Sequence, residues 1–373
     1  MDILAYTTAA LGRALGTAPD PAAAGVVASV EAALGVRLPD DVPALAAAFP
    51  GGVLFDYRQF PWDPADPSGV VANTRRLRAE GLRPADVALG TAGNRLYFWQ
   101  PSEVGAGHIN SAPLAEDPPV RPRRPLKAGH YGRPFYMTYT GLLLEQMEAA
   151  RYETVRANLE KLYPNLTKKA ARKWRHRWAP HEVDTIERSL ERGVSVADRL
   201  PTFEDGGREF VDLRGAVVDP TRKVFTPAAP QHPARPVRFE RVDFSFGLWS
   251  LKDVDAHDCR FRAATLGCFD SRFTNCDFTF VDVEGANQPI LRGHFTDCNF
   301  TGGRLAESML YGTFERCDFT GVDLRSASLE HVTLTSRSTS RFIDCTWTDC
   351  RFGGDARQWD PMRPQAFPDL GSR

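Results

Sequence analysis

The residues in this chain that could do chemistry stand in incomplete patterns. His181-Glu182 opens a phrase of the HExxH type, where two histidines on one helix face hold zinc and the glutamate acts as base. Thr185 occupies the second ligand position, so the phrase cannot close a site. Gly105-Ala106-Gly107 lacks the third glycine and the βαβ setting of a dinucleotide loop. No phosphate-binding GxxxxGK[ST] loop and no GxSxG nucleophile turn occurs. The acid pairs Asp253/Asp255 and Asp282/Glu284 are spaced as solvated surface acids, and the eight histidines are scattered without metal-ligand spacing. All seven cysteines lie between 259 and 350, and Cys345/Cys350 lacks CxxC spacing and a matching second pair, which argues against zinc. The expectation is a protein without catalytic residues, metal or cofactor: not an enzyme.

One stretch could bind rather than react. Between Thr167 and Trp178 stand Lys168, Lys169, Arg172, Lys173, Arg175 and Arg177 with no acid, and Trp174 and Trp178 fall four apart, on one helical face. Basic charge with aromatics is the footprint of nucleic-acid or acidic-partner binding. The competing reading is a solvated basic face whose indoles pack on a neighbouring element. Residues 151–236 carry 17 Lys+Arg against 12 Asp+Glu, an excess of +5, which is modest over that length. Residues 1–150 stand at −2 and 237–373 at −4. With no long apolar span and no basic-then-apolar leader, a cytoplasmic location is expected.

The elements that position these residues are organised by a repeat. Phe273-Thr274-Asn275-Cys276-Asp277-Phe278-Thr279 returns at 295 and 314, with looser copies at Phe239, Ala256 and Phe342. Beneath this period near twenty runs one of five: Phe239, Phe244, Trp249 and Val254, later Phe295, Phe300, Leu305 and Leu310, and so on to Phe352. A small residue sits two places before most of these, and six of the cysteines occupy that position. Neither a helix nor a strand has a period of five. Five-residue sides that turn a corner each time do, four to a coil. The cysteines are then reduced packing residues. This pattern, over about 237–354, resembles the pentapeptide-repeat family (A-[DN]-[LF]-x-x), which implies a right-handed quadrilateral β-helix with the large residue inside. Six coils at strand spacing make a rod of about 25–30 Å. Phase slips after Val254, Leu266, Val283, Leu310 and Leu334 predict bulges or loops, with Gln288-Pro289 marking one.

Toward the N-terminus, residues 22–48 read as two helices broken at Gly35 and Leu38-Pro39-Asp40-Asp41, then a stop at Phe49-Pro50-Gly51-Gly52. Strands are expected at 53–57 and 94–99, and a helix at 138–150. The run Leu34-Gly35-Val36-Arg37-Leu38-Pro39-Asp40-Asp41 with the Gly-Gly turn resembles the SMI1/KNR4 (SUKH) superfamily over roughly 20–150. Ala88-Leu89-Gly90 with Tyr97-Phe98-Trp99 resembles its central strand pair, and Phe135-Tyr136 leading into Leu142–Met147 its last strand and helix. The resemblance implies an α+β domain and, in bacteria, service as an immunity protein that neutralises a toxin. The expected organisation is therefore 1–150 SUKH-like, 151–193 basic helices, 194–236 a Pro-rich linker, with one repeat-like turn at Phe210-Val211-Asp212-Leu213, 237–354 β-helix, and 355–373 a tail.

Three functions follow. The main reading is an immunity-type protein binder whose partner, a toxin domain, meets Asp56, Tyr57, Arg58, Trp62, Tyr97 and Trp99, with the β-helix as scaffold or second face; the competing reading of these six residues is that they are core. Pentapeptide-repeat proteins that mimic DNA and protect gyrase supply the alternative. Duplex DNA carries about one charge per 1.7 Å, so a rod of this length needs roughly 15–18 negative charges, far above the actual −4. The third is an adaptor using Lys168, Lys169, Arg172 and Lys173. Outward repeat positions such as Asn275, Asp297 and Arg316 vary between copies, as expected of a binding face.

Overall fold

The computed structural model describes residues 3–101 (except 17, 55 and 94), 108–113, 138–167, 172–174, 177–179, 182, 200–217, 237–332 (except 284, 287 and 288), 337–353 and 357–366 (except 360). The chain forms two compact units: 1–150 with 353–373, and 151–352. No described helix is long and apolar enough to cross a membrane.

The first unit holds helices α1 (Ile3–Leu15), α2 (Ala23–Leu34) and α3 (Val42–Ala48), strands β1 (Gly52–Leu54) and β2 (Tyr57–Gln59), helix α4 (Val70–Ala79), strands β3 (Val87–Ala92), β4 (Arg95–Gln100) and β5 (His108–Pro113), and the first half of α5 (Tyr139–Leu162). The five strands form an antiparallel meander in sequence order. α2 stops at Gly35 in the left-handed region, whose N–H reaches the Glu31 carbonyl, and the Glu31 carboxylate accepts the Leu38 N–H at 2.7 Å. The core is mostly aliphatic, with a cluster of rings in it. Tyr57, Trp62, Tyr97, Phe98 and Trp99 are all buried, and Gln59 accepts hydrogen bonds from the hydroxyls of Tyr57 and Tyr139. Burial raises both phenols above their ordinary range. The segment after 353 is part of this unit rather than a free tail. Arg363, fully buried, pairs with Glu148 and donates to the Gly353 carbonyl at 2.7 Å, while Glu148 also accepts the Gly353 N–H.

The second unit is a stack of coils. Strands β6 (Thr202–Asp205) and β7 (Arg208–Asp212) pair antiparallel, and β7 pairs in parallel with β9 (Val242–Asp243). Residues 200–217, expected as linker, are thus an extra partial coil, the one foreshadowed by Phe210-Val211-Asp212-Leu213. The main ladder runs in parallel through β8 (Val237–Glu240), β11 (Val254–His257), β12 (Thr265–Thr274), β13 (Ile290–Thr296), β14 (Met309–Glu315) and β17 (Arg341–Ile343), with β10 (Leu248–Lys252) also on β12. Its register aligns Phe239, Ala256, Phe273, Phe295, Phe314 and Phe342, the six repeat starts. Between β14 and β17, at the last phase slip, β15 (Glu330–Val332) and β16 (Arg337–Thr339) form an antiparallel excursion.

Two internal ring stacks fill the coils. One is Phe244, Phe261, Phe278, Phe300, Phe319 and Trp347, with centroids 4.6–5.0 Å apart and ring planes within 11°. The other is Phe273, Phe295, Phe314 and Phe342. Coil spacing equals strand spacing, about 4.8 Å, so the geometry of the backbone ladder imposes ring stacking. A thiol column, Cys259, Cys276, Cys298, Cys317 and Cys345, follows the same ladder. Each thiol lies near the carbonyl two residues before it, as Cys298 does to Thr296 at 3.4 Å.

α5 is a single helix across residue 150, where two helices were expected to meet. Its second half lies along one corner of the stack. Leu159 packs on Gly302 and Gly321, Tyr163 meets the Phe280 ring edge-on at 5.9 Å, and the Arg156 guanidinium sits 4.4 Å above that ring. Trp174 stacks on Phe246 at 5.5 Å, and the Trp178 indole donates to the Arg214 carbonyl at 2.8 Å. Both indoles pack on the solenoid.

Candidate binding face of the solenoid

The corners explain the polar residue of each repeat. In Asp277-Phe278-Thr279, Asn299-Phe300-Thr301 and Asp318-Phe319-Thr320, the side chain before the inward ring accepts the N–H two residues on, at 2.9–3.0 Å. This Asx turn bends the chain and leaves the next corner residue free to adopt positive φ. The residues that follow these turns, Phe280, Gly302 and Gly321, have φ of 60–67°, and a second column, in which Asn275, Asp297 and Arg316 stand two places before the turns, continues through Arg241, Asp258 and Asp344 at φ of 50–54°. For side-chain-bearing residues this conformation costs on the order of 1 kcal/mol each. Inter-coil hydrogen bonds offset it, the Asn275 N–H reaching the Thr296 carbonyl at 3.0 Å and the Asp297 N–H that of Glu315. Asn275, Asp297 and Arg316, expected as a binding face, are therefore corner residues that satisfy one another: Asn275 with Asp258, and Arg316 forked onto Asp297 at 2.7 and 2.9 Å.

A different surface of the stack is better placed to bind. On the main ladder, Arg238, Asp255, Arg272, His294, Thr313 and Arg341 fall in one register column. Across β12, β13, β14 and β17 the surface opens into a groove of about 460 Å³, lined by Asp270, Arg272, Arg292, Gly293, His294, Tyr311, Gly312, Thr313 and Arg341. Arg292 pairs with Asp270 at 2.8 Å. Arg272, His294 and Arg341 are exposed, and their side chains have no ion pair or hydrogen bond among the described residues. The wall is basic. On other columns several opposite charges are locally matched, as in Arg262–Asp277 at 2.5 Å, Arg304–Asp282 at 3.8 Å and Arg325–Asp323 at 2.7 Å.

Residues 294–336 match the family model of pentapeptide repeats, in 8 copies. The C-terminal part of this chain carries pentapeptide repeats. Among solved structures, full-length QnrB1, a plasmid-mediated fluoroquinolone resistance protein, is similar at 16% identity. That match covers 30% of this chain and 55% of that one, with a TM-score of 0.16. Two trypsin-treated variants of QnrB1 match at 16% and 14% identity, covering 36% of this chain and 72% and 87% of theirs, with TM-scores of 0.18 and 0.17. This chain thus spans about half the length of full-length QnrB1. No curated protein matches the chain. The pentapeptide-repeat match leaves the SMI1/KNR4 resemblance of the N-terminal residues without support.

The contact residues expected in the first unit divide by burial. Asp56 and Arg58 are exposed, whereas Tyr57, Trp62, Tyr97 and Trp99 lie in the core. Strand alternation explains the split: Tyr57 and Gln59 face inward while Arg58 faces out. Tyr57 on β2, Tyr97 and Trp99 on β4, and Trp62 in the loop after β2 all pack away from water. Of the basic candidates, Arg172 and Lys173 are exposed, and Lys168 and Lys169 lie outside the described residues. Phe135-Tyr136, Gly105-Ala106-Gly107, His181 and Thr185 also lie outside them, as does Glu284. Asp255 sits 3.1 Å from His257, and Asp282 accepts the Gly285 N–H, which are ordinary surface roles. No His/Cys/Asp/Glu cluster able to hold a metal occurs among the described residues. Sequence reading missed the groove because its arginines lie a coil or more apart in the chain. Only the ladder register, placing position 272 beside 294, 313 and 341, unites them.

Proposed function

We propose that this protein acts by binding another protein, without catalysis, and that the pentapeptide-repeat solenoid is its recognition element. The observation that supports this reading is the groove on the ladder face, which gathers three arginines against one carboxylate and leaves Arg272 and Arg341 without an ion pair among the described residues. Within this class, a gyrase-directed role in fluoroquinolone tolerance stands ahead of toxin neutralisation. The repeats are matched, whereas the immunity reading leaned on the N-terminal resemblance and on rings that turn out to be buried. A rod presenting Arg238, Arg272, Arg292 and Arg341 on its ladder face is a poor replica of duplex phosphate, so binding to gyrase would use an acidic protein surface rather than imitate DNA.

The experiment is a supercoiling assay with purified gyrase and a fluoroquinolone, with and without the full chain. Restored supercoiling supports the reading. Unchanged drug inhibition together with unchanged drug-free supercoiling sinks the gyrase target. The toxin reading is tested separately by co-expression with toxins encoded beside the gene, where absence of protection counts against it.

A further inference from the structure

We propose that the groove on the β12–β13–β14–β17 face takes an extended acidic peptide segment of the partner, laid along the solenoid axis, with carboxylates on Arg272 and Arg341. The inference rests on the protein-binding reading above and names the chemistry of the partner's contact segment.

The floor of the groove is backbone. Ser271, Gly293 and Gly312 are in register, with φ of 157° at Gly293 and 138° at Gly312. A Cβ at Gly293 would clash with the Ser271 carbonyl, and one at Gly312 with the Gly293 carbonyl, so only glycine fits either place. On one side of this floor stand Arg272, His294, Thr313 and Arg341, and on the other Asp270, Arg292 and Tyr311. Three guanidinium groups against one carboxylate leave an excess of two positive charges, and the one acid is already engaged by Arg292.

Dimensions decide the occupant. Arg272 and Arg341 lie three ladder steps apart, about 14 Å at strand spacing, and an extended chain rising about 3.4 Å per residue covers that in about four residues. Two carboxylates four residues apart on an extended peptide therefore meet the two unmatched arginines, with Thr313 and His294 between them. Nucleic acid fits less well. A single strand needs a series of stacking rings, and the groove offers only Tyr311 and the smaller imidazole of His294. A duplex needs many phosphate contacts, and two unmatched charges supply few.

The test is fluorescence anisotropy on the full chain with a labelled peptide bearing Glu at positions four apart in a Gly/Ser background. The probes for comparison are its Gln counterpart, a short oligo-dT and inorganic phosphate. The Glu peptide is expected to bind in a salt-sensitive manner. Arg272→Gln and Arg341→Gln should each weaken it by roughly tenfold, about 1.4 kcal/mol. Arg262→Gln, which removes a matched pair on another column, should leave binding unchanged. Thermal melts confirm that the variants fold, as exposed arginines permit. Equal binding of the Gln peptide, tighter binding of oligo-dT, phosphate displacing the Glu peptide at equal concentration, or wild-type affinity in both arginine variants overturns the proposal. Peptide binding without gyrase protection would remove the gyrase target and keep the groove. Gyrase protection that survives in both arginine variants would remove the groove and keep the target.

Discussion

Phe278 and Phe300 stack face to face, their centroids 4.8 Å apart and their planes 6° from parallel, although a whole coil of chain separates them. Each also touches a ring of the second stack, Phe278 meeting Phe273 at 5.3 Å and Phe300 meeting Phe314 at 6.2 Å. The contact is repeated above and below, so a missing ring opens a gap between two others rather than at an edge. The thermodynamic weight of this interior sits mid-stack.

Phe300→Ala should therefore cost about 3–5 kcal/mol, the range for removing a buried aromatic ring. Phe203→Ala, at a ring that is only partly buried, should cost clearly less. Denaturant unfolding of both variants checks the ranking, and equal costs would mean the stack is not the structural spine.

Asp212 supplies a pH dependence. Burial alone would push its carboxyl up, but hydrogen bonds from Arg214 and Arg177, at 2.7 Å each, outweigh burial and hold it at about 2. A folded value below the unfolded one stabilises the protein above the unfolded carboxylate range. That contribution, on the order of 2 kcal/mol, is lost as pH falls from about 4 to 2. Asp212→Asn should lower the melting temperature at pH 7 and flatten the melting-temperature profile over that interval. Equal slopes for the two proteins would refute this.

Arg363 and Glu148 form a buried pair, and breaking one side leaves a charge stranded away from water. Glu148→Ala should cost about 3–5 kcal/mol, whereas replacing both partners with apolar residues should cost much less. A double-mutant cycle on thermal stability measures the difference, and additivity would show that the pair is not coupled.

The seven thiols are predicted to differ sharply in reactivity. Six are buried and Cys345 is partly exposed. Burial pushes Cys268 up to about 12 and Cys259 and Cys350 well above the ordinary thiol range, away from the reactive thiolate. The neighbouring Cys317 thiol pushes Cys345 up as well, so exposure alone sets Cys345 apart: a thiol reagent should modify at most Cys345 in the native protein and all seven after unfolding. Rapid loss of two or more native thiols would contradict the reduced, packed column.

Much of the solenoid was legible in the chain, since its repeat starts are the residues that stand in register from Phe239 to Phe342. That legibility has a simple cause: each coil repeats the same packing problem, and the ring that solves it returns each time. The cysteines were read as packing residues for the same reason. The Asx turns were present as Asp-Phe-Thr and Asn-Phe-Thr, yet their acids and amides resemble any solvated surface. In the first unit, aromatics beside charges suggested exposure at Tyr57 and Trp99, because a strand's two faces cannot be told apart without knowing which one a helix covers. The continuation of α5 through residue 150 was hidden because its covering contacts, Leu159 on Gly321 and Arg156 on Phe280, come from residues far along the chain.

The partial coil at Thr202–Asp212 has a consequence for assembly. A parallel ladder ends in a row of unmet backbone groups, which invites another chain to continue it. Here the row at Val242–Asp243 meets β7, and β7 turns back on itself as an antiparallel hairpin with β6. The hairpin reverses strand direction at that end, so an incoming copy finds no template in the polarity it needs. On the side of the coil that carries β9, growth of the stack is terminated within the chain itself.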